Sequence, residues 1–228
     1  SGNIKKNYKF KGLVKDANIE LSKKFDFNKI NFTFDIQEKE FLFSNIELDL
    51  NKKNISIPKL KAIKKKNDFL ISGKIINKDT TLRKEELDIF MASDFLSSSI
   101  QEMNLDSEND FSFNLGKKFK IRDLNIDSEI KMNQLKLKNS FKLKDFFPKT
   151  KKLILFKDHK IKLNFSKDKL KIIGSGETLF QKEYDKIDYE ILKTRNEIKY
   201  NSNLIITKNL FQINLLNYKK DKNSKLKI

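Results

Sequence analysis

Ile30-Asn31-Phe32-Thr33-Phe34-Asp35-Ile36 alternates without a break: each even-numbered residue is apolar and each odd-numbered one polar. A period of two is that of a β-strand, whose successive side chains point to opposite faces, and not the period of about 3.6 of a helix. The segment reads as a half-buried strand. The same parity rule extends on the C-terminal side to Phe41 and Phe43, to Ile46, Leu48 and Leu50, to Ile55 and Ile57, and to Phe69, Ile71 and Ile75 with Gly73 between them. Between these runs lie short polar links: Gln37-Glu38-Lys39-Glu40, Asn51-Lys52-Lys53-Asn54 and residues 64–68. Links this short join hairpins, because parallel strands need crossovers of about a dozen residues or more.

The second half repeats the pattern. Candidate strands cover residues 111–115, 119–130, 134–138, 152–156, 160–166, 169–173, 184–192, 198–207 and 210–217. Their clearest apolar sets are Phe111 with Phe113, Ile161 with Leu163 and Phe165, and Phe211 with Ile213 and Leu215. The parity switch between Phe43 and Ile46 calls for a bulge or a tight turn. One segment breaks the rule: over residues 80–96 the apolar positions fall nearer a helical spacing, with Thr80 or Thr81 as N-cap and Glu85 and Glu86 in the first turn. A short helical turn is expected at residues 143–147, stopped by Pro148. The expected organisation is a first meander over residues 1–77, a helical insertion or cap over 78–108, and a second meander over 109–228.

Composition narrows the function. The 228 residues carry a formal charge of +18, with 38% hydrophobic and 35% charged residues. That charge fraction alone would suit disorder, but 20 Phe and 27 Ile supply the aromatic and β-branched side chains that a core needs. Of the basic residues 46 are Lys and only Arg83, Arg122 and Arg195 are Arg. Nucleic-acid readers favour the planar fork of Arg, and a lysine excess beside abundant Asn, Ile and Phe follows AT-rich coding, so no specific nucleic-acid partner is expected. Cysteine is absent, which excludes disulfides and thiolate metal sites, and the single histidine, His159, leaves no imidazole pair for a metal or a triad. Neither enzymatic activity, a cofactor nor a metal is expected.

Local motifs add no chemistry. Gly174-Ser175-Gly176 lacks the remaining residues of a dinucleotide or phosphate loop and reads as a turn or bulge. His159, within Lys157-Asp158-His159-Lys160, reads as a turn residue between two strands. Asp106, Glu108 and Asp110 lack the glycine and the terminal glutamate of a calcium loop and read as a solvated connection. No apolar run reaches the roughly 18 residues of a membrane helix, and no signal-peptide pattern opens the chain. Opening on Ser1-Gly2, it reads as a piece of a longer protein, any anchor lying outside it.

Roughly fourteen amphipathic strands spaced about 4.8 Å apart make an apolar face roughly 60–70 Å across. It can fold on itself as a sandwich, close as a barrel, or stay open as a trough. Periodicity alone favours a sandwich or a barrel, while the paucity of helices to cover so large a sheet pulls toward the trough. The expected fold class is mostly β: a long twisted antiparallel meander forming an open, apolar-lined groove, with one or two short helices.

Several phrases carry a resemblance: Phe69-Leu70-Ile71-Ser72-Gly73-Lys74-Ile75-Ile76, Asn109-Asp110-Phe111-Ser112-Phe113, the stretch from Lys169 to Glu177 that contains Gly174-Ser175-Gly176, and Tyr184-Asp185-Lys186-Ile187-Asp188-Tyr189. Together they resemble the AsmA-like superfamily of bridge-like lipid transfer proteins, with its YhdP and TamB members, and most of all the middle repeats of the YhdP-type branch. The resemblance implies a non-enzymatic, periplasmic segment of an inner-membrane-anchored protein of a Gram-negative cell. Such a segment carries phospholipid acyl chains toward the outer membrane and touches membranes through parts outside it. The implied lining is Ile30, Phe32, Phe34, Ile36, Phe41, Phe43, Ile46, Leu48, Leu50, Ile55, Ile57, Phe69, Ile71, Phe111, Phe113, Ile161, Leu163, Phe165, Phe211, Ile213 and Leu215. The alternative is a structural or adhesion β-sandwich that packs the same stripe on itself and holds no lipid.

Overall fold

A computed structural model describes residues 8–22, 25–86, 99–139, 143–221 and 223–228. Most of the alternating sequence becomes strand. The elements are β1 (Lys9–Ser22), β2 (Phe25–Gln37), β3 (Glu40–Leu50), β4 (Lys53–Lys64), β5 (Phe69–Arg83), β6 (Ile100–Leu115), β7 (Ile121–Lys138), β8 (Leu153–Ser166), β9 (Lys169–Leu179), β10 (Asp185–Lys193), β11 (Ile198–Ile206), β12 (Gln212–Ile213), β13 (Tyr218–Lys219) and β14 (Leu226–Lys227). Twelve of them form one sheet in the order β1 to β11 and then β14, and β12 pairs with β13 as a two-stranded ribbon. The protein is mostly β, an antiparallel meander that does not close, with few and short helical turns.

Hairpin chemistry explains the meander. Leu50 pairs with Lys53, so only Asn51 and Lys52 form that loop, and both adopt positive φ (49° and 67°). Lys167 and Asp168 do the same between β8 and β9, with φ of 49° and 63°. Two left-handed residues in succession give the turn whose twist matches that of its strands.

Bulges account for the parity breaks. Asn45 (φ 52°) lies where the β2–β3 register slips, which carries the apolar parity from Phe43 to Ile46 inside one unbroken strand. Asp16 (φ 50°) and Lys29 (φ 49°) shift β1 and β2 in the same way. Asn31 binds both: its Oδ1 accepts from the Asp16 N–H (3.1 Å) and its Nδ2 donates to the Lys29 carbonyl (2.7 Å). Asn18 completes the set by accepting the Lys29 N–H at 3.1 Å.

Several expectations are corrected by the same devices. The two expected strands at residues 119–130 and 134–138 are one strand, β7, which starts only at Ile121 because Lys117–Phe119 form a 3-10 turn. Those at 152–156 and 160–166 are likewise one strand, β8, from Leu153, with Asp158 (φ 53°) as an interior left-handed residue. His159 is therefore a strand residue, not a turn residue. Gly174-Ser175-Gly176 lies in the middle of β9 in unbroken register with β10, and neither glycine has positive φ. Asp106, Glu108 and Asp110 sit within β6 rather than in a connection. Strand β5 runs on through Arg83, so Thr80 and Thr81 are strand residues and not caps; residues 84–86 are helical, with Glu86 accepting the Arg83 N–H at 2.9 Å. The rest of the expected helix, residues 87–98, lies outside the described residues. The expected turn after residue 143 is present as a 3-10 helix, Leu143–Asp145, and Pro148 follows. Residues 210–217 do not form one strand: β12 stops at Ile213 and a 3-10 turn, Asn214–Leu216, follows.

By packing the chain divides into two units. One comprises Ser1–Thr80, Ser107–Glu129 and Asn164–Lys169, the other Thr81–Asp106, Ile130–Leu163 and Leu170–Ile228. Their interiors differ. Among the described residues of the first, Ile30 and Ile46 are the only buried hydrophobics. The second has a sealed core of Ile100, Leu137, Phe147, Ile154, Phe180, Ile206 and Phe211.

Candidate functional site

Register builds one apolar face in the first unit. Directly opposed residues of antiparallel strands share a face. Phe34 stands between Gly12 and Phe43, and Ile36 between Phe10 and Phe41. Across the next ladder Phe41 faces Ala62, Phe43 faces Leu60, Ile46 faces Ile57 and Leu48 faces Ile55. Ile71 then faces Ala62, and Gly73 faces Leu60. Ring contacts tie the strands together: Phe32 to Phe43 at 5.7 Å and Phe41 to Phe69 at 5.7 Å, both edge-on, with Phe111 and Phe113 stacked at 6.1 Å. Phe111 also reaches the β5 backbone, where a Cβ at residue 73 would meet its ring at 3.0 Å. Glycine at 73 lets that ring lie low. Phe34 covers the edge-strand Gly12 in the same manner.

Fourteen of the expected lining residues, from Ile30 to Ile71 together with Phe111, thus converge on this face, and Phe113 stacks beside them. Apart from Ile30 and Ile46 they are half-buried, neither sealed nor fully in water. Reading the alternation alone missed Phe10 and Val14 of β1 and Leu60 and Ala62 of β4, because bulges and a proline interrupt their parity. Ile161, Leu163 and Phe165 alternate along β8 and are half-buried as well. The last three expected residues are elsewhere. Phe211 belongs to the sealed core of the second unit and Ile213 packs against it, while Leu215 is exposed in the turn after β12.

The opposite face of the first unit is polar and ion-paired. Lys9 and Lys11 meet Asp35 at 3.4 and 3.3 Å, Lys61 meets Glu40 at 3.0 Å, and Lys74 meets Glu108 at 3.1 Å and Asp110 at 3.4 Å. Hydrogen bonds to Glu108 and then Asp110 hold the Lys74 ammonium above its ordinary pKa. These pairs are solvated and screened, so they set which face meets water more than they stabilise the sheet.

The buried ionisable groups His159 and Asp185 lie in the second unit, each held by hydrogen bonds. His159 is fully buried; its Nε2–H donates to the Glu177 carbonyl (3.0 Å) and its Nδ1 accepts from the Tyr189 hydroxyl (3.3 Å). With both ring nitrogens engaged, no lone pair is free for a substrate or a metal. Burial depresses the His159 pKa and pushes the Tyr189 hydroxyl up to about 12. Asp185, also buried, is held by Asn209 Nδ2 (2.6 Å) and the Thr207 N–H (3.2 Å). Among the described residues no group of three or more acidic or histidine side chains is arranged to hold a metal.

Among the described residues no helix is long and apolar enough to cross a membrane. Comparison with known protein families, with curated proteins and with solved structures returns no match.

Proposed function

We propose that this chain is a non-enzymatic segment that carries phospholipid acyl chains along the apolar face of its open sheet. The observation that carries the reading is the apolar face of the first unit, where Phe32, Phe34, Phe41, Phe43 and Phe69 touch ring to ring yet remain half-buried rather than sealed. An acyl chain laid on such a surface gains about 0.8 kcal/mol for each methylene removed from water. Headgroup phosphates would remain in water at the rim, where lysines attract them without the bidentate grip of arginine. Weak, repeated contact suits passage better than capture. The resemblance to the AsmA-like superfamily supports the same reading and a place in the periplasm, between the inner and outer membranes of a Gram-negative cell.

Lipid retention tests the proposal. The purified chain, extracted and analysed by mass spectrometry, should release phospholipid, and a photo-crosslinker at Phe32 or Phe43 should capture it. The competing reading is the scaffold or adhesion domain, for which the sealed core of the second unit speaks. A lipid-free protein with no acyl-chain crosslinks would favour that scaffold.

A further inference from the structure

Two loops of the second unit meet around Phe211. Phe146 stacks on its ring at 6.2 Å, Phe147 packs edge-on at 5.5 Å, and the Gln212 N–H donates to the Phe146 carbonyl at 3.0 Å. From this buried anchor the β12–β13 ribbon projects its 3-10 turn, which the left-handed Asn217 (φ 49°) closes. The tip of the turn is apolar and out in solvent: Leu215 is 94% exposed and Leu216 67%. Phe146, on the neighbouring loop, is 45% exposed. The loop that bears Phe146 also carries exposed Lys144, Lys149, Lys151 and Lys152, and β13 carries exposed Lys219, none with an ion-pair partner among the described residues; Asp145 is the one acid within these two loops.

The geometry points to a docking tip for an anionic membrane surface. A single exposed leucine is ordinary, but two adjacent ones on a turn that is joined to a lysine-rich loop match both layers of a bilayer interface. The leucines and Phe146 would enter the acyl boundary, while the lysines reach back to phosphates. A second copy of the chain fits poorly, since it would bring its own lysines against these. The inference is independent of the lipid-carrying face, which lies on other residues, and places membrane contact within this chain.

Absence of cysteine makes a site-specific test simple. The full chain carrying Leu215→Cys, and separately Leu216→Cys, is labelled with a polarity-sensitive fluorophore. Asn67→Cys serves as control, because it sits in a turn with Lys64, Lys65 and Lys66 that is basic but has no apolar tip. Each protein is titrated with phosphatidylcholine vesicles and with vesicles containing phosphatidylglycerol, and its melting is compared with the unlabelled chain. Labels at 215 and 216 should shift to the blue on the anionic vesicles, while the label at 67 stays in water. Replacing Lys144, Lys149 and Lys151 with Ser should weaken binding by about fivefold per lysine. No shift at either leucine position in a folded protein would overturn the inference, as would an equal shift at residue 67 or equal binding to neutral vesicles.

Discussion

The Tyr189 ring lies over the backbone of Gly174, its direct cross-strand partner, and fills the space that a Cβ at residue 174 would take. Two residues along, the His159 ring does the same above Gly176. Neither glycine serves a turn. Each lets a ring descend onto the sheet, and the two rings then meet through the His159–Tyr189 hydrogen bond.

Gly174→Ala should therefore lower stability by about 1–3 kcal/mol, because a ring within a packed layer must move aside. Gly116→Ala is the control, since the nearest atom to its Cβ is the end of the flexible Arg122 side chain at 3.3 Å, and a change within about 0.5 kcal/mol is expected. Thermal melting of the two variants checks this, and equal melting points would refute the packing argument.

Stability should depend on pH at both ends of the range. Burial lowers the pKa of His159 in the folded chain, so between that value and the ordinary 6.5 the unfolded chain binds the extra proton. The His159 contribution is thus complete above pH 6.5 and lost as pH falls through the folded pKa. Tyr189, raised by burial to about 12, keeps its proton in the folded state while the unfolded phenol ionises near 10. Stability should fall as pH climbs from 10 to about 12. Urea unfolding at stepped pH, compared with His159→Phe and Tyr189→Phe, separates the two limbs; a limb unchanged in its variant would contradict the assignment.

Asn209 should be a costly residue to remove. Its Oδ1 accepts from the N–H groups of Lys182 (3.3 Å) and Glu183 (3.2 Å), and its Nδ2 donates to the Glu183 carbonyl and to the buried Asp185 carboxylate, both at 2.6 Å. Burial already raises the Asp185 pKa against the opposing pull of Asn209. Asn209→Ala leaves that carboxylate short of a donor, and a loss of about 2–4 kcal/mol is expected in denaturant unfolding at neutral pH. Acidification toward the Asp185 pKa should recover part of the loss, since a protonated carboxyl tolerates burial better.

Charge on the open face should separate function from folding. Phe32→Asp and Leu48→Asp place a carboxylate among half-buried side chains, where water can still reach it, so melting should fall only modestly. Ile154→Asp puts the same group into the sealed core at a residue 1% exposed, and should unfold the second unit. If acyl chains run along the face, the first two variants lose bound lipid while remaining folded. Should they unfold as Ile154→Asp does, the face is sealed core and the transport reading fails.

Much of the candidate face was legible in the chain itself, because a period of two is set by neighbouring residues and needs no distant partner. Strand β2 and the separate alternating sets Phe41 with Phe43, Ile46 to Leu50, and Ile55 with Ile57 follow directly from that alternation. Bulges hid the remainder. Asp16 shifts parity within β1 and Asp158 within β8, so one strand was overlooked and another divided in two. A left-handed Asp or Asn inside a strand is spelled like one in a turn, and only the partner strand tells them apart.

Sequence alone determined the strand character, the antiparallel order of neighbours and the amphipathic division of each strand, since all three depend on local alternation and short links. Tertiary structure decided which apolar residues are sealed and which stay open. Phe211 and Phe34 occupy similar alternating contexts, yet Phe211 is buried beneath Phe146 and Phe147 while Phe34 lies half-exposed over Gly12. Burial is a property of what comes to lie above a face. That depends on segments far apart in the chain, and no local period encodes it.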